Sequence, residues 1–241
     1  MRVCIVLLLT LVLSSCIKPA EPIFSPVESN LKVITYNVNW GGAGVNQIIN
    51  YLDKADADVV FLQETNKQWE YYLTKHLNYR YQYSVFKESQ GAGGIAFLSK
   101  YEIKNIKFIK PVGWFPGLKA DIKTPFGLVQ ILNVHLRPPL SERGTPILSA
   151  LYNSSKRHRI ELDHFLKETV KDIPLIIAGD FNEEESDKAI VNLVKKGFTD
   201  SLSIYDRSSN TGDGRFFRGL RLKVDMIISY IVSIYIVQEL V

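Results

Sequence analysis

The sequence has little cysteine, no extended run of charge of one sign and no internal repeat. Cys4 and Cys16 are the only cysteines among its 241 residues, so a chain processed at Cys16 cannot depend on disulfides. The 29 basic and 25 acidic residues leave a net charge of +4, which neither requires nor excludes a polyanionic partner. A hydrophobic content of 46% predicts one globular domain with a sizeable core, or at most two small ones.

The N-terminus lacks a hydrophobic run of membrane-spanning length. After Arg2, residues 3–13 are apolar apart from Thr10, whereas a transmembrane helix needs about 20 apolar residues. The stretch therefore predicts a cleaved signal peptide at residues 1–16. Its end, LSSC, resembles the lipobox of bacterial lipoproteins, which implies a lipidated Cys16 and attachment to a membrane of the bacterial cell envelope. The alternative is an ordinary secretory signal with a chance cysteine, which would give a secreted protein.

Residues 17–30 separate this signal from the rest of the chain. They contain Pro19, Pro22 and Pro26 and have neither a helical nor a strand period, which predicts a linker. Periodic apolar patterns begin at residue 31, so residues 31–241 are predicted to form the domain.

Within this domain, apolar strand-like runs alternate with segments of helical spacing. Strands are predicted at residues 31–38, 58–64, 79–86, 93–100, 102–109, 117–124, 127–136 and 175–178. Helices are predicted at residues 45–52, 69–77, 160–170 and 189–195. Hairpin-like strands mixed with β-α-β units predict an α/β fold with two packed sheets and helices outside.

Polar side chains occur where several apolar runs end, and they could share one cleft at the edge of the sheets. These residues are Asn37, Glu64, His135, Asp180 and Asn182. Each residue alone also has a purely structural explanation. Asn37 could be a turn residue, Glu64 a surface acid and His135 a core histidine. Asp180 and Asn182 could cap a helix. Together they favour a functional site.

Metal-assisted hydrolysis of a phosphate ester is the chemistry that suits this set. Mg²⁺, with Mn²⁺ as the alternative, takes oxygen ligands, and Glu64 with the amide oxygen of Asn37 would supply them. Asp180 would orient or deprotonate the attacking water. Asn182 and His135 would donate hydrogen bonds to the non-bridging oxygens as charge develops.

Five short motifs resemble, in order, those of the endonuclease/exonuclease/phosphatase (DNase I-like) superfamily: TYNV, LQE, NVH, GDFN and KVDMI, the last at residues 223–227. The resemblance implies a four-layer sandwich, with two mixed β-sheets flanked by helices, and Mg²⁺-dependent cleavage of phosphodiesters or phosphomonoesters. It also implies that Asn37 and Glu64 serve the metal. The residues that serve phosphate and nucleophile would be His135, Asp180 and Asn182.

One departure from the family pattern concerns the C-terminal part of the chain. The family usually carries a serine-aspartate-histidine motif after the aspartate that Asp225 matches, and that aspartate orients the histidine. Here no histidine follows His164, so the resemblance implies a domain without its last strand and catalytic histidine segment. The adjacent pair Asp163 and His164 is interpreted as part of a solvated helix face.

Two classes of function remain open from the sequence. The first is a monomeric metal-dependent phosphoesterase acting on nucleic acid, a phospholipid headgroup or a small phosphodiester. The second is a non-catalytic phosphate-binding module, or a truncated pseudoenzyme of the same fold. A basic face lined with aromatic residues would indicate nucleic acid, and the sequence offers only scattered candidates: Lys156, Arg157, Arg159, Arg215, Arg218 and Arg221. Trp40, Trp114 and Phe115 are candidates for a lip that meets lipid, although a core or loop role is the preferred interpretation of these residues.

Overall fold

A computed structural model describes residues 31–40, 44–125, 127–138, 148–182, 188–200 and 236–237. Asp225, the signal peptide, the linker and the three arginines at positions 215, 218 and 221 lie outside these residues. Nothing described here therefore bears on the predictions made for them.

The first sheet contains four strands in the order β1-β2-β4-β3. β1 and β2 run parallel, and the other two pairs are antiparallel. Helices α1 and α2 follow β1 and β2 respectively. The bounds are β1 Val33–Asn37, α1 Val45–Ala55, β2 Val59–Gln63, α2 Lys67–Leu77, β3 Tyr83–Lys87 and β4 Ile95–Ser99, with a short 3-10 helix at Gly91–Gly93 before β4.

Among the described residues, the second sheet has six strands in the order β5-β6-β7-β8-β10-β9. β7 and β8 are parallel, and every other neighbouring pair is antiparallel. The bounds are β5 Ile103–Ile109, β6 Gly117–Thr124, β7 Gly127–His135, α3 Leu148–Leu166, β8 Leu175–Asp180, α4 Lys188–Lys195, β9 Thr199–Asp200 and β10 Ile236–Val237.

Three separate apolar clusters show how these elements are layered. One lies between α1, α2 and the first sheet, around Leu52, Leu62 and Leu73. A second fills the space between the two sheets and includes Phe61 and Ile122. The third joins the second sheet to α3 and α4. Three interfaces define four layers, so the predicted sandwich of two mixed sheets between helices is confirmed.

The strand and helix predictions are confirmed within a few residues, with one exception. The helix predicted at residues 160–170 is the second half of α3, which begins at Leu148 and ends at Leu166. After Leu166 the backbone N–H groups of Lys167, Glu168 and Thr169 bond to carbonyls three residues earlier, a tighter turn that ends the α-helix. The N–H of Val170 is bound by the side chain of Gln130 on β7, so the chain has already left the helix there.

None of the helices in the described part of the chain combines the length and the apolar character needed to cross a bilayer.

Candidate active site

The two parallel strand pairs end at the same edge of the molecule, and each contributes polar side chains there. Asn37 is the last residue of β1, and Glu64 directly follows β2. His135 and Asp180 are the last residues of β7 and β8 and lie opposite each other in the strand register. The carboxyl ends of parallel strands in α/β sheets are where ligands commonly bind.

Asn37 connects the two sheets at this edge. Its Nδ2 donates to Oε1 of Glu64 at 2.8 Å and to Oδ2 of Asp180 at 3.0 Å. Its Oδ1 accepts the backbone N–H of Asn39 at 2.9 Å. The amide nitrogen therefore donates to both carboxylates, and the amide oxygen, with one lone pair taken by the N–H of Asn39, retains a second lone pair for a metal ion.

Glu64 is held by the backbone as well as by Asn37. Its Oε2 accepts the N–H of Trp40 at 3.0 Å, and each carboxylate oxygen retains a further lone pair for a cation. Asn66, which caps α2 by accepting the N–H of Trp69, also donates to the carbonyl of Trp40. The start of α2 thus fixes the loop that holds Glu64.

His135 lies between the two carboxylates and is buried. Its Nε2 is 3.9 Å from Oε1 of Glu64 and 3.8 Å from Oδ2 of Asp180. Burial lowers the pKa of His135, while the charges of Asp180 and Glu64 and the backbone of Ala92 oppose that shift more weakly. The lowered pKa favours the neutral imidazole, and Nε2 is the ring nitrogen close to both carboxylates.

The GDFN motif positions Asp180 and Asn182. The backbone N–H of Asn182 donates to Oδ1 of Asp180 at 3.1 Å, and its Nδ2 donates to the carbonyl of Leu136 at 2.8 Å. An amide nitrogen carries two N–H groups, so one remains for a phosphate oxygen. Gly179 precedes Asp180 with φ 153°, and a Cβ there would lie 1.8 Å from the carbonyl oxygen of Val134. Only glycine fits between β7 and β8 at this point.

Backbone strain is concentrated in the same region. Among the described residues, three of the five non-glycine residues with positive φ belong to it: Asn39 (54°), Glu64 (61°) and Asn182 (49°). Asparagine tolerates this conformation, but for a residue such as Glu64 it costs about 1–2 kcal/mol. Strain of this kind persists where the surrounding structure holds it, often at functional sites.

A buried polar network next to the site was not predicted from the sequence. Nε2 of Gln63 on β2 donates to Oδ1 of Asn133 on β7 at 2.7 Å, and Nδ2 of Asn133 donates to the carbonyls of Leu62 and Ala96. Gln63 also accepts from and donates to Thr35 on β1. The sequence signal was a polar residue inside each apolar strand run, one position before Glu64 and two before His135.

The candidates on α3 lie outside this group, whereas two of the aromatic candidates lie against it. Asp163 on α3 pairs with Lys196, and Nε2 of His164 bonds the backbone carbonyl of Lys110 at 3.0 Å, so neither joins the strand-end residues. Lys156, Arg157 and Arg159 are exposed on α3. Trp40 is exposed beside Glu64, whereas the ring of Phe115 stacks on His135 with centroids 3.9 Å apart.

A metal ion bound here would have the carboxylate of Glu64 as a ligand, with the carboxylate of Asp180 close by. Among the residues that the structure describes, no three His, Cys, Asp or Glu side chains form a ready-made metal cluster. Mg²⁺ needs less, because it is commonly held by one or two carboxylates while water and substrate phosphate complete its shell. Glu64 and Asp180 share the Asn37 amide, and two carboxylates at such close range favour a bound cation. The residues present therefore fit a hard divalent ion.

The profile of the Endonuclease/Exonuclease/phosphatase family matches residues 34–231, which include every strand-end residue described above. The chain therefore belongs to this family, as the motifs predicted.

The chain is also similar to an individual nuclease. Exodeoxyribonuclease III of Haemophilus influenzae (strain ATCC 51907 / DSM 11121 / KW20 / Rd) is 30% identical over 166 residues, which cover 65% of this chain and 59% of that protein. This chain thus spans less than two thirds of that relative's length.

Solved structures share the fold. An AP endonuclease from Archaeoglobus fulgidus superposes with a TM-score of 0.57 at 18% identity, covering 87% of each chain. TDP2 of D. rerio, complexed with a single strand DNA product, superposes with a TM-score of 0.57 at 23% identity. That match covers 73% of this chain and 70% of the other. At these identities the likeness shows the fold alone.

Proposed function

We propose that this protein is a divalent-metal-dependent phosphoric ester hydrolase. The observation that carries the proposal is the amide of Asn37, which bonds Glu64 of one sheet and Asp180 of the other and so assembles two carboxylates beside a neutral imidazole. Carboxylates at such short range suit a cation and an activated water better than they suit a structural role.

Each residue then has a distinct task. Glu64, with Asn37 beside it, would hold Mg²⁺ or Mn²⁺, which when bound withdraws charge from the phosphoryl oxygens. Asp180 accepts bonds from Asn37 and Asn182 that fix its orientation, and it orients and deprotonates the attacking water. The second N–H of Asn182 and Nε2 of His135 donate to the non-bridging oxygens in the transition state.

The substrate is proposed as a class of compound. Two similar proteins, an exodeoxyribonuclease and a TDP2 in complex with a single strand DNA product, make nucleic acid the first substrate to test. A phospholipid headgroup and a small phosphodiester are the other classes.

The test is hydrolysis by the purified full-length chain in detergent. Plasmid DNA, sphingomyelin and bis-nitrophenyl phosphate are each incubated with Mg²⁺, with Mn²⁺ or with a chelator. We expect hydrolysis of at least one substrate that the chelator abolishes and that added metal restores. Binding of inorganic phosphate without hydrolysis of any substrate would contradict the proposal and indicate a non-catalytic phosphate-binding module.

A further inference from the structure

Arg137 follows the NVHL stretch, and two buried ionisable side chains of α3 bind its backbone. Nε2 of His158 lies 2.6 Å from the carbonyl oxygen of Arg137, and Oε2 of Glu161 accepts the Arg137 N–H at 3.4 Å. His158 and Glu161 are 1% and 3% exposed. Neither has a part in the hydrolysis described above.

Glu161 also reaches a second loop, the one between β5 and β6. Its Oε1 has no hydrogen bond of normal geometry and lies against Gly113, where a Cβ would come within 1.6 Å of it. Burial raises the pKa of Glu161, and the charges of His158 and Arg137 and the backbone groups of Arg137 and Trp114 counteract this. Burial of a carboxyl group is costly, and the raised pKa indicates that these partners offset the cost only in part.

The two loops meet through side chains that lead back to the site. The guanidinium of Arg137 lies 4.4 Å from the centre of the Trp114 ring. Trp114 packs edge-on against Phe115 at 6.2 Å between centroids, and Phe115 stacks on His135. Arg137, Trp114 and Phe115 are all half-buried. A cation over a tryptophan face is stabilised in its charged form and held in a defined orientation.

Charge and distance define what Arg137 can bind. Glu64 and Asp180 give the site negative charge, and an anionic substrate gains from a cation on its approach. The guanidinium contacts the Trp114 ring, whereas Phe115 is the ring that stacks on His135, so Arg137 is suited to a group of the substrate other than the phosphate that reacts. Its planar fork of donors matches the oxygens of a phosphate group.

We propose that Arg137 binds a second phosphate group of the substrate, next to the one that is hydrolysed. Trp114, His158 and Glu161 are positioning residues for it. The inference rests on the proposed hydrolase function and narrows its substrate class to esters that carry more than one phosphate, such as a polynucleotide strand with consecutive phosphates.

The test uses a matched pair of substrates, the dinucleotides TpT and pTpT, which differ by one terminal phosphate. The wild-type protein should favour pTpT in kcat/KM by roughly 10- to 100-fold, the range expected for a hydrogen bond between charged groups. Arg137→Ala should remove this preference through KM, so that pTpT is hydrolysed no better than TpT, and Arg137→Lys should retain part of the preference. Lys171→Ala removes an exposed cation just before the amino end of β8, the end opposite the site, and should change nothing.

The positioning role has its own readout. Glu161→Gln keeps an acceptor oxygen and should retain the preference for pTpT, whereas Glu161→Ala should lose it, with folding checked by thermal melting. A preference that persists in Arg137→Ala, or an equal loss on both dinucleotides, would overturn the inference. If the wild-type protein hydrolyses neither dinucleotide, calorimetric binding of both to wild type and Arg137→Ala decides the question separately from the hydrolase proposal. Equal affinities of the wild-type protein for TpT and pTpT would then refute the inference about Arg137.

Discussion

At the residue scale, Asp180 is the group on which turnover depends most. Asp180→Ala removes the proposed base and should lower kcat about 10²- to 10⁴-fold. Thermal stability should be kept, because the substitution also relieves repulsion from Glu64. Steady-state hydrolysis of bis-nitrophenyl phosphate measures the change, and Asp163→Ala on α3 is the matched control with parental activity expected. An Asp180→Ala protein with parental kcat would contradict the assigned role.

Glu64 is expected to govern the metal requirement. Glu64→Gln removes the ligand charge but leaves an oxygen that can still accept the Trp40 N–H, so Mg²⁺ half-saturation should rise while the free energy of unfolding changes little. Titration of activity against Mg²⁺ in both proteins provides the comparison. Glu70→Gln, an exposed change on α2, should leave half-saturation at the wild-type value. If Glu64→Gln does the same, the metal binds elsewhere.

The strand-end residues could be predicted because each follows an apolar run, a signal contained in a few consecutive letters. The donor role of Asn37 could not be predicted, since it depends on the backbone N–H of Asn39 bonding the amide oxygen and so orienting the amide nitrogen toward the two carboxylates. Glu161 and Arg137 were missed for a related reason. Their contact is set by how α3 packs over the end of β7, and no local pattern encodes that packing.

At the element scale, the close approach of β7 and β8 depends on Gly179. A Cβ in Gly179→Ala would overlap the Val134 carbonyl, so the strands must separate at a cost of about 1–3 kcal/mol or more, and Asp180 should move with them. Gly127→Ala also has positive φ but meets nothing within 4 Å, so it should cost backbone strain alone. Urea denaturation and kcat of both variants give the test; equal effects would mean that the contact is unimportant.

Strands were easier to predict than the longest helix. β6 and β7 are bounded by glycine and proline and carry continuous apolar runs, so their limits are visible in the sequence. The first half of α3 reads LSALYNSSKRHR and is largely polar. No amphipathic period is visible in that half, and Leu162 is the first buried apolar residue among the α3 side chains that the structure describes.

At the scale of the whole molecule, the buried Glu161 predicts how stability depends on pH. Its pKa is raised above the ordinary value of 4.5, so the folded state holds the proton more tightly than the unfolded state. Stability should therefore fall as pH rises from about 4.5 through the raised pKa. Glu161→Gln should lack this loss, so its advantage over wild type should grow with pH in urea denaturation. Parallel curves for the two proteins would contradict the prediction, and Glu88→Gln, an exposed change, serves as the control.

Membrane attachment through Cys16 stays a prediction from the sequence. A lipoprotein cysteine carries a diacylglycerol, and two acyl chains are what stable anchoring requires, whereas one gives only marginal binding. Detergent-phase partition of the expressed protein should be lost in Cys16→Ala. It should be kept in the control variant Cys4→Ala, which leaves the lipidated cysteine in place. Partition that persists in Cys16→Ala would indicate an uncleaved N-terminal helix.

The hydrogen bond between Gln63 and Asn133 affects assembly as well as geometry. Apolar surfaces such as those of the two sheets tolerate small slips, because hydrophobic contact has no direction. A slip that separates these two amides would leave buried donors and acceptors without partners, at a cost of about 1–3 kcal/mol each. Misaligned packings are therefore discouraged while the chain is still folding. The alignment of Asn37 with Asp180 is thus supported by an interior pair of amides, and a substitution confined to the cleft leaves that support in place.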